Sequence, residues 1–413
     1  MSTVSTTRAP KASTRIHDVD ALRGFALLGI LMVNITFIAS AYPANLVEDP
    51  AFTSPLDDAA RFVVAALFSM KFYLLFSFLF GYSFVLQMDS ARRAGRSFAP
   101  RMLRRLLGLL LLGAGVMVFY SGDILTVYAV VGTILLAMHR VDDRVALRTA
   151  GAIFAVVVLS MVVSAAFVDS SALMPSGQEA LANAAEETES MRGGVGDVVR
   201  RSLGGLELYA IQSLTLQGPM ALVMFLLGMV AARRQALSGF DGGERLLRRA
   251  QWIGFPVGLV GGVAYASLGG AGSTVGAAIS VPTAPFLTVA YAATLIRLAH
   301  APATARLRDM LAPAGRMALT NYLAQAVVAT LLFTGIGFGL AGQVSPVGLV
   351  VLAVAIFSAQ AAVSAWWLRR HRYGPAEYLL RWFTNWQRPT GGLTGPASPQ
   401  GREPRAKGVT PRR

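Results

Sequence analysis

An all-α polytopic integral membrane protein is the fold predicted by this chain of 413 residues, with about ten transmembrane helices and both termini cytoplasmic. Three observations predict it. The composition is 54% hydrophobic and only 14% charged, against about 25% charged in an average soluble domain. Long apolar runs recur along the whole chain, most of them near the roughly 20 residues a helix needs to cross the hydrocarbon core. Arg and Lys fall in alternate gaps between those runs, as expected where cytoplasmic connections retain positive charge.

The apolar runs are 21–40, 62–88, 106–120, 124–138, 149–168, 213–232, 252–268, 277–298, 317–340 and 347–368. Arg8, Lys11 and Arg15 precede the first and place its start inside. No small-residue cleavage site follows it, so it reads as a retained helix and not a signal peptide. The next gap carries Glu48, Asp49, Asp57 and Asp58 before Arg61. The second run is long enough to be a short interfacial helix joined to a span. After it come Arg92, Arg93, Arg96, Arg101, Arg104 and Arg105, whereas the tight Ser121–Asp123 connection has no basic residue. Arg140, Arg144 and Arg148 follow the short fourth run. The 169–212 loop is the one sizeable extracytoplasmic segment, where Arg192, Arg200 and Arg201 lie among Glu179, Glu186, Glu187 and Glu189. An acidic helix and a mobile loop are equally open for it. Basic residues return at Arg233–Arg249, vanish over 269–276, return at Arg306, Arg308 and Arg316, vanish over 341–346, and crowd the tail from Arg369.

This pattern divides the chain into an N-terminal tail (1–20), an N-terminal membrane half (21–168), the loop (169–212), a C-terminal membrane half (213–388) and a Gly, Pro and Arg rich tail (389–413). That tail has too little apolar content to pack and is expected to be disordered near anionic lipid. Before it, Pro375 starts a short surface helix in which Glu377 and Arg381 are spaced as an i,i+4 pair. Its Trp382, Phe383 and Trp386 suit the lipid interface.

The net charge of +15 is spread over short gaps, with no basic groove and interleaved aromatics, so no nucleic acid is expected as a partner. The chain has no cysteine, which removes disulfides, thiolate metal sites and Cys nucleophiles. The histidines (His17, His139, His300 and His371) are far apart, so no metal and no bound cofactor is expected. No phosphate-binding Gly-rich loop, GxSxG or HExxH is present.

Polar residues held in apolar runs are the remaining candidates, because each must find a partner at bilayer depth. Arg23 sits at the cytoplasmic mouth of the first run and Asn34 deeper in it. A snorkelling Arg with an interhelical amide is one reading; an anion site with a substrate-facing amide is the other. Lys71 falls near the outer end of the second run. Asp123 is either the cap of the fourth run or a carboxylate base. Glu207, Gln212 and Gln217 lead into the sixth run as an interfacial face or a polar wall. Arg316, Thr320, Asn321 and Gln325 open the ninth, and Asn321 and Gln325 share a face that packs on a helix or lines a cavity.

The blocks Asp20-Ala-Leu-Arg23-Gly through Asn34, Lys71 to Gly81, Gly122-Asp-Ile-Leu, Gly315-Arg-Met-Ala-Leu-Thr-Asn-Tyr322 and Tyr373-Gly-Pro-Ala-Glu377 resemble the YeiB-like bacterial membrane proteins (domain of unknown function 418). The resemblance covers about residues 15–388, in order. It implies a multi-pass protein of the bacterial cytoplasmic membrane, distantly similar to transmembrane acyltransferases. Those relatives pass an acyl group from cytoplasmic acyl-CoA to a sugar or lipid-linked acceptor, with a histidine at membrane depth. This chain departs from them: Leu111-Leu-Gly-Ala-Gly-Val-Met-Val-Phe-Tyr120 holds none. The expectation is therefore an acyltransferase in which Arg23 and Arg316 hold acyl-CoA phosphates, Asn34, Lys71, Thr320, Asn321 and Gln325 bind substrate, and Asp123 is the catalytic base. Membrane lipid is the surrounding partner. The alternatives are a transporter of a small or lipid-linked solute and a non-catalytic membrane scaffold.

Overall fold

A computed structural model describes residues 12–120, 122–167, 177–236, 240–301 and 304–386, and every regular element among them is helical. In chain order these are α1 (Ala12–Ala39), α2 (Pro55–Val63), α3 (Lys71–Arg93), α4 (Ala99–Met117), α5 (Ile124–Ala137), α6 (Asp143–Phe167), α7 (Gly177–Met191) and α8 (Val195–Gly204). There follow α9 (Leu206–Gln212), α10 (Gly218–Arg233), α11 (Phe240–Ser267), α12 (Thr274–His300), α13 (Ala305–Arg316), α14 (Ala318–Phe333), α15 (Pro346–Leu368) and α16 (Pro375–Asn385). Arg8, Lys11, Ser121 and the predicted disordered tail lie outside the described residues.

Each predicted apolar run falls on a helix, but among the described residues 6 stretches, and not ten, are long and apolar enough to cross a membrane. They are His17–Ala39, Pro55–Arg93, Asp143–Phe167, Val195–Arg233, Thr274–Ala299 and Pro346–Leu368, with α5 and α14 as shorter apolar helices. The exterior has the character that lipid requires. On α6, Val156, Leu159, Val162, Val163 and Phe167 are all exposed, a contiguous apolar face that water would not tolerate on a monomer.

Close helix pairs are set by glycine. A Cβ on Gly24 of α1 would lie 2.2 Å from the Leu311 carbonyl oxygen, and one on Gly315 would lie 1.8 Å from that of Asp20. The two backbones of α1 and α13 thus touch through mutual absence of side chains, the device that replaces hydrophobic burial inside lipid. Gly81 of α3 and Gly228 of α10 form the same reciprocal arrangement: a Cβ on either would lie 2.1 Å from a carbonyl oxygen of the other helix, that of Phe225 and of Phe78 respectively. Around that pair the core closes with Phe80 stacked on Phe225 at 4.5 Å.

The second run is broken, as its length suggested. After α2 the chain makes a π-helical turn over Val64–Phe68, and Met70 then takes a left-handed conformation (φ 68°) before α3 begins. The segment after residue 176 resolves the choice left open between helix and loop. It is helical, and docked: Ala41 N–H donates to Thr188 Oγ1 at 3.1 Å, Arg192 Nε to the Ala341 carbonyl at 2.8 Å, and Gly335 N–H to the Met191 carbonyl at 3.0 Å. The part of the loop over 168–176 lies outside the described residues.

The N-terminal tail placed at 1–20 is already helical from Ala12. The short surface helix is present as α16, with Trp382 and Trp386 exposed and Leu380 and Phe383 filling the space over Gly108 of α4.

Candidate functional site

The arginine-rich end of the bundle gathers around α1. Arg23 Nη1 donates to Asp20 Oδ1 at 2.9 Å, and its other amino group donates to Ser83 Oγ of α3. Arg316, exposed at the end of α13, acts on the Asp20 carboxylate through space. Arg105 of α4 lies within electrostatic reach of Arg23, Arg381 and Glu377, and its Nε has no hydrogen-bond partner among the described residues. Arg381 stacks over the Tyr373 ring at 4.3 Å. Guanidinium groups from α1, α4, α13 and α16 therefore share one end, and the Asp20 and Glu377 carboxylates are the acids set among them.

Glu377 does not pair with Arg381, as its i,i+4 spacing suggested. It turns to the start of α14, where Oε1 accepts from the N–H of Leu319 at 2.7 Å and of Thr320 at 3.1 Å, and Oε2 accepts from Thr320 Oγ1 at 2.5 Å. A helix N-terminus has unpaired donors and a partial positive charge, so a carboxylate is its natural cap. Ala376 N–H returns a bond to Thr320 Oγ1 at 3.0 Å. A Cβ on Gly374 would meet Glu377 Oε2 at 2.3 Å and Thr320 Oγ1 at 2.7 Å, so a side chain there would displace the cap. Glu377→Ala is expected to lower stability by about 1–3 kcal/mol, the range for lost bonds to a charged acceptor, read as a lower thermal midpoint with Glu377→Gln between the two.

The polar stripe of α14 is satisfied by α15. Asn321 Nδ2 donates to Ser364 Oγ at 2.9 Å and to the Ala314 carbonyl at 3.0 Å, and Gln325 Nε2 donates to Gln360 Oε1 at 3.0 Å. Gln360 closes the ladder by donating to the Asn321 carbonyl at 3.2 Å. Of the two roles open to this face, helix packing is the one adopted.

Asp123 is 0% exposed. It is the N-cap of α5: Oδ2 accepts from Thr126 N–H at 2.9 Å and Thr126 Oγ1 at 3.0 Å, and Oδ1 accepts from the Tyr322 hydroxyl at 2.9 Å. Tyr322 also accepts from Ile124 N–H at 3.2 Å, and Tyr209 donates to the Asp123 carbonyl. The carboxylate thus ties the α4–α5 connection to α14 and is buried beneath the Tyr322 hydroxyl.

Lys71 and Asn34 stand apart from these groups. Lys71, 1% exposed, sits where the second run breaks. Its Nζ donates to the Ala65 carbonyl at 3.4 Å and lies 5.8 Å from the centroid of the Tyr265 ring. Ala65 and Tyr265 belong to the wall of an open cavity of about 230 Å³, bounded by the end of α1, the 42–52 loop, α2, the 269–272 turn and the start of α15. Asn34 is partly buried on α1 and makes no side-chain hydrogen bond among the described residues.

Comparison with other sequences places this architecture. Residues 231–387 match the model of a family described as "Protein of unknown function (DUF418)". "Uncharacterized protein YxaH" of Bacillus subtilis is 31% identical over 395 residues, covering 90% of this chain and 95% of its own length. The chain belongs to the DUF418 family. "Uncharacterized protein YeiB" of Escherichia coli is a further relative, 30% identical over 385 residues, 89% of this chain and 95% of its own.

The stretch that defines DUF418 contains both partners of the Glu377 cap, so the two C-terminal blocks singled out in the sequence are halves of one structural unit. Three residues of this DUF418 chain escaped the sequence reading. Arg105 was counted only as a marker of topology. Tyr322 stood inside a quoted block, next to Asn321, yet nothing in its spacing pointed to Asp123 across 199 positions. Tyr265 had no signal, since an aromatic near a helix end is ordinarily interfacial.

Proposed function

We propose that this DUF418 protein is a transmembrane acyltransferase of the bacterial cytoplasmic membrane, with ten membrane helices and both termini inside. The alternation of Arg-bearing gaps supports the topology. The observation that carries the activity is the meeting of Arg23, Arg105, Arg316 and Arg381 at one end of the bundle. Arginine presents a planar fork matched to phosphate oxygens, and Arg105 has spare donor capacity. In this reading the cluster receives the phosphates of acyl-CoA, the co-substrate, from the cytoplasm. An acceptor hydroxyl, on a sugar or lipid-linked molecule, attacks the thioester carbonyl; its proton goes to a base and CoA leaves as the thiolate. Asp123 would act through the Tyr322 hydroxyl, the group hydrogen-bonded to its buried carboxylate. Thr320, Asn321 and Gln325 would hold α14 in place, and Asn34, whose side chain makes no hydrogen bond among the described residues, would face substrate.

The test is thermal unfolding of the purified chain with acetyl-CoA, long-chain acyl-CoA and free CoA. A ligand at a hundred times its Kd stabilises by about 2.7 kcal/mol. A saturable rise in wild type, lost in Arg105→Met and Arg23→Ala, is expected. Arg105→Met is the cleaner variant, since Arg23 also holds Asp20 and Ser83. No rise with any CoA species in folded protein would remove the donor site and with it this reading.

A second reading, transport of a small or lipid-linked solute, is favoured by one observation: the broken α2–α3 segment borders the open cavity. Discontinuous helices of that kind form the binding sites of many transporters.

A further inference from the structure

Behind the wall of the cavity beside the broken helix lies a cation, Lys71, with no ion-pair partner among the described residues. An ammonium carries three donors, and an isolated buried charge is among the least favourable groups a protein can hold. Lys71 meets one carbonyl, at 3.4 Å, and the face of one ring. Among the described residues no carboxylate lies within ion-pair distance of it. Arg61, the cation on the cavity wall itself, is already matched, to Asp58 at 2.7 Å and Glu48 at 3.6 Å, and it donates to the Phe52 carbonyl at 2.5 Å, while Glu48 and Asp49 are the acids of the rim. Tyr265 lines the same wall, and its hydroxyl makes no hydrogen bond to the described residues.

The backbone supports a site at this place. The π turn over Val64–Phe68 and the left-handed Met70 interrupt the helix just where Ala65 offers its carbonyl to Lys71. Irregular backbone at bilayer depth persists where it lines a cavity, and π segments concentrate at functional positions. Apart from its polar rim the cavity is apolar, with Val33, Phe37, Val64 and Leu349 on its walls. Its volume of about 230 Å³ is just under the roughly 300–1,000 Å³ of ligand pockets. A head group and the first part of a chain fit inside, with the rest projecting out.

We propose that this cavity binds an amphiphile through an acidic head group, a carboxylate or a phosphate, received by Lys71 and Tyr265, with its hydrocarbon against Val33, Phe37, Val64 and Leu349. The sign of the head group follows from the unmatched ammonium, and the chain follows from the walls. The inference rests on the second reading above, in which the cavity is the site of a small or lipid-linked solute. It does not rest on the arginine cluster.

The full chain in phosphatidylcholine nanodiscs is titrated with dodecanoate, dodecyl phosphate, dodecanol and inorganic phosphate, and thermal unfolding is followed. Dodecanoate and dodecyl phosphate are expected to stabilise wild type saturably, with apparent affinity about tenfold above dodecanol. Lys71→Met is expected to lose about that factor while its unliganded form is at least as stable as wild type, because replacing a buried charge by a matched apolar group removes a desolvation penalty. Tyr265→Phe, which deletes only the hydroxyl, is expected to lose about threefold and serves if Lys71→Met does not fold. Equal stabilisation by dodecanol, equal stabilisation by inorganic phosphate alone, or unchanged acid binding in both variants overturns the proposal. Phosphatidylglycerol nanodiscs identify the source: a dodecanoate shift lost there supports a lipid head group as occupant, and one retained supports a free fatty acid. No arm contains CoA, so failure here and failure of CoA binding are separate results.

Discussion

Gly81→Ala is expected to remove most folded protein from the membrane, although it adds one methyl group. The added Cβ would stand 2.1 Å from the Phe225 carbonyl oxygen and 2.7 Å from Phe225 Cα. Those are backbone atoms of α10, with no rotamer to yield. Relief requires α3 and α10 to separate, and the reciprocal contact at Gly228 and the stacked Phe80 and Phe225 rings would part with them. Overpacking of this kind typically costs about 1–3 kcal/mol and occasionally more, and a clash with backbone belongs at the upper end. Gly115→Ala on α4 is the control. Its Cβ would meet nothing within 4 Å, and a helical Gly→Ala change is worth roughly 0.5–1 kcal/mol in the stabilising direction. Fluorescence-detected size exclusion and the thermal midpoint read both. If Gly81→Ala behaved like Gly115→Ala, the close approach of α3 and α10 would be wrong.

Asp123→Ala is expected to cost roughly 2–4 kcal/mol, because a lost cap leaves several buried donors unanswered at once. The Thr126 N–H and the Tyr322 hydroxyl would both lose their acceptor inside the bundle. Asp123→Asn should retain most of the stability, since Asn is as good an N-cap as Asp and its carbonyl oxygen can still accept. That difference separates structure from chemistry. An Asp123→Asn protein that folds and binds acyl-CoA but transfers nothing supports the proposed base. One that folds and transfers normally shows that the carboxylate is a cap and nothing more. Tyr322→Phe removes one of the carboxylate's donors and should cost less than Asp123→Ala in the same unfolding measurement.

Much of this was legible in the chain because lipid imposes a simple rule. Apolar length had to become helix, since no other element satisfies its own backbone in hydrocarbon, and each predicted run holds a helix, the ninth only over Ala318–Phe333. Arg23, Lys71, Asp123 and Asn321 were also legible as residues needing partners, for the same reason. The partners themselves were not. Glu377 had a suitable neighbour at Arg381, four residues on, and instead capped a helix that starts 59 positions earlier in the chain, its bond to Leu319 spanning 58. Asn321 and Gln325 had two roles open, and the choice was made by Ser364 and Gln360 on a helix whose position the sequence does not encode locally.

The sequence by itself determined solvent, element type and family, because hydrophobic length and short blocks such as Gly315 to Tyr322 are local properties. The tertiary structure alone decided which polar groups are answered and which are not. It seals Asp123 under Tyr322, matches Arg61 with two carboxylates, and leaves Lys71 with a single carbonyl behind a cavity wall. A residue type states what it can bond to. Only packing, which fixes which helices come within about 3 Å of one another's polar atoms, states whether it does.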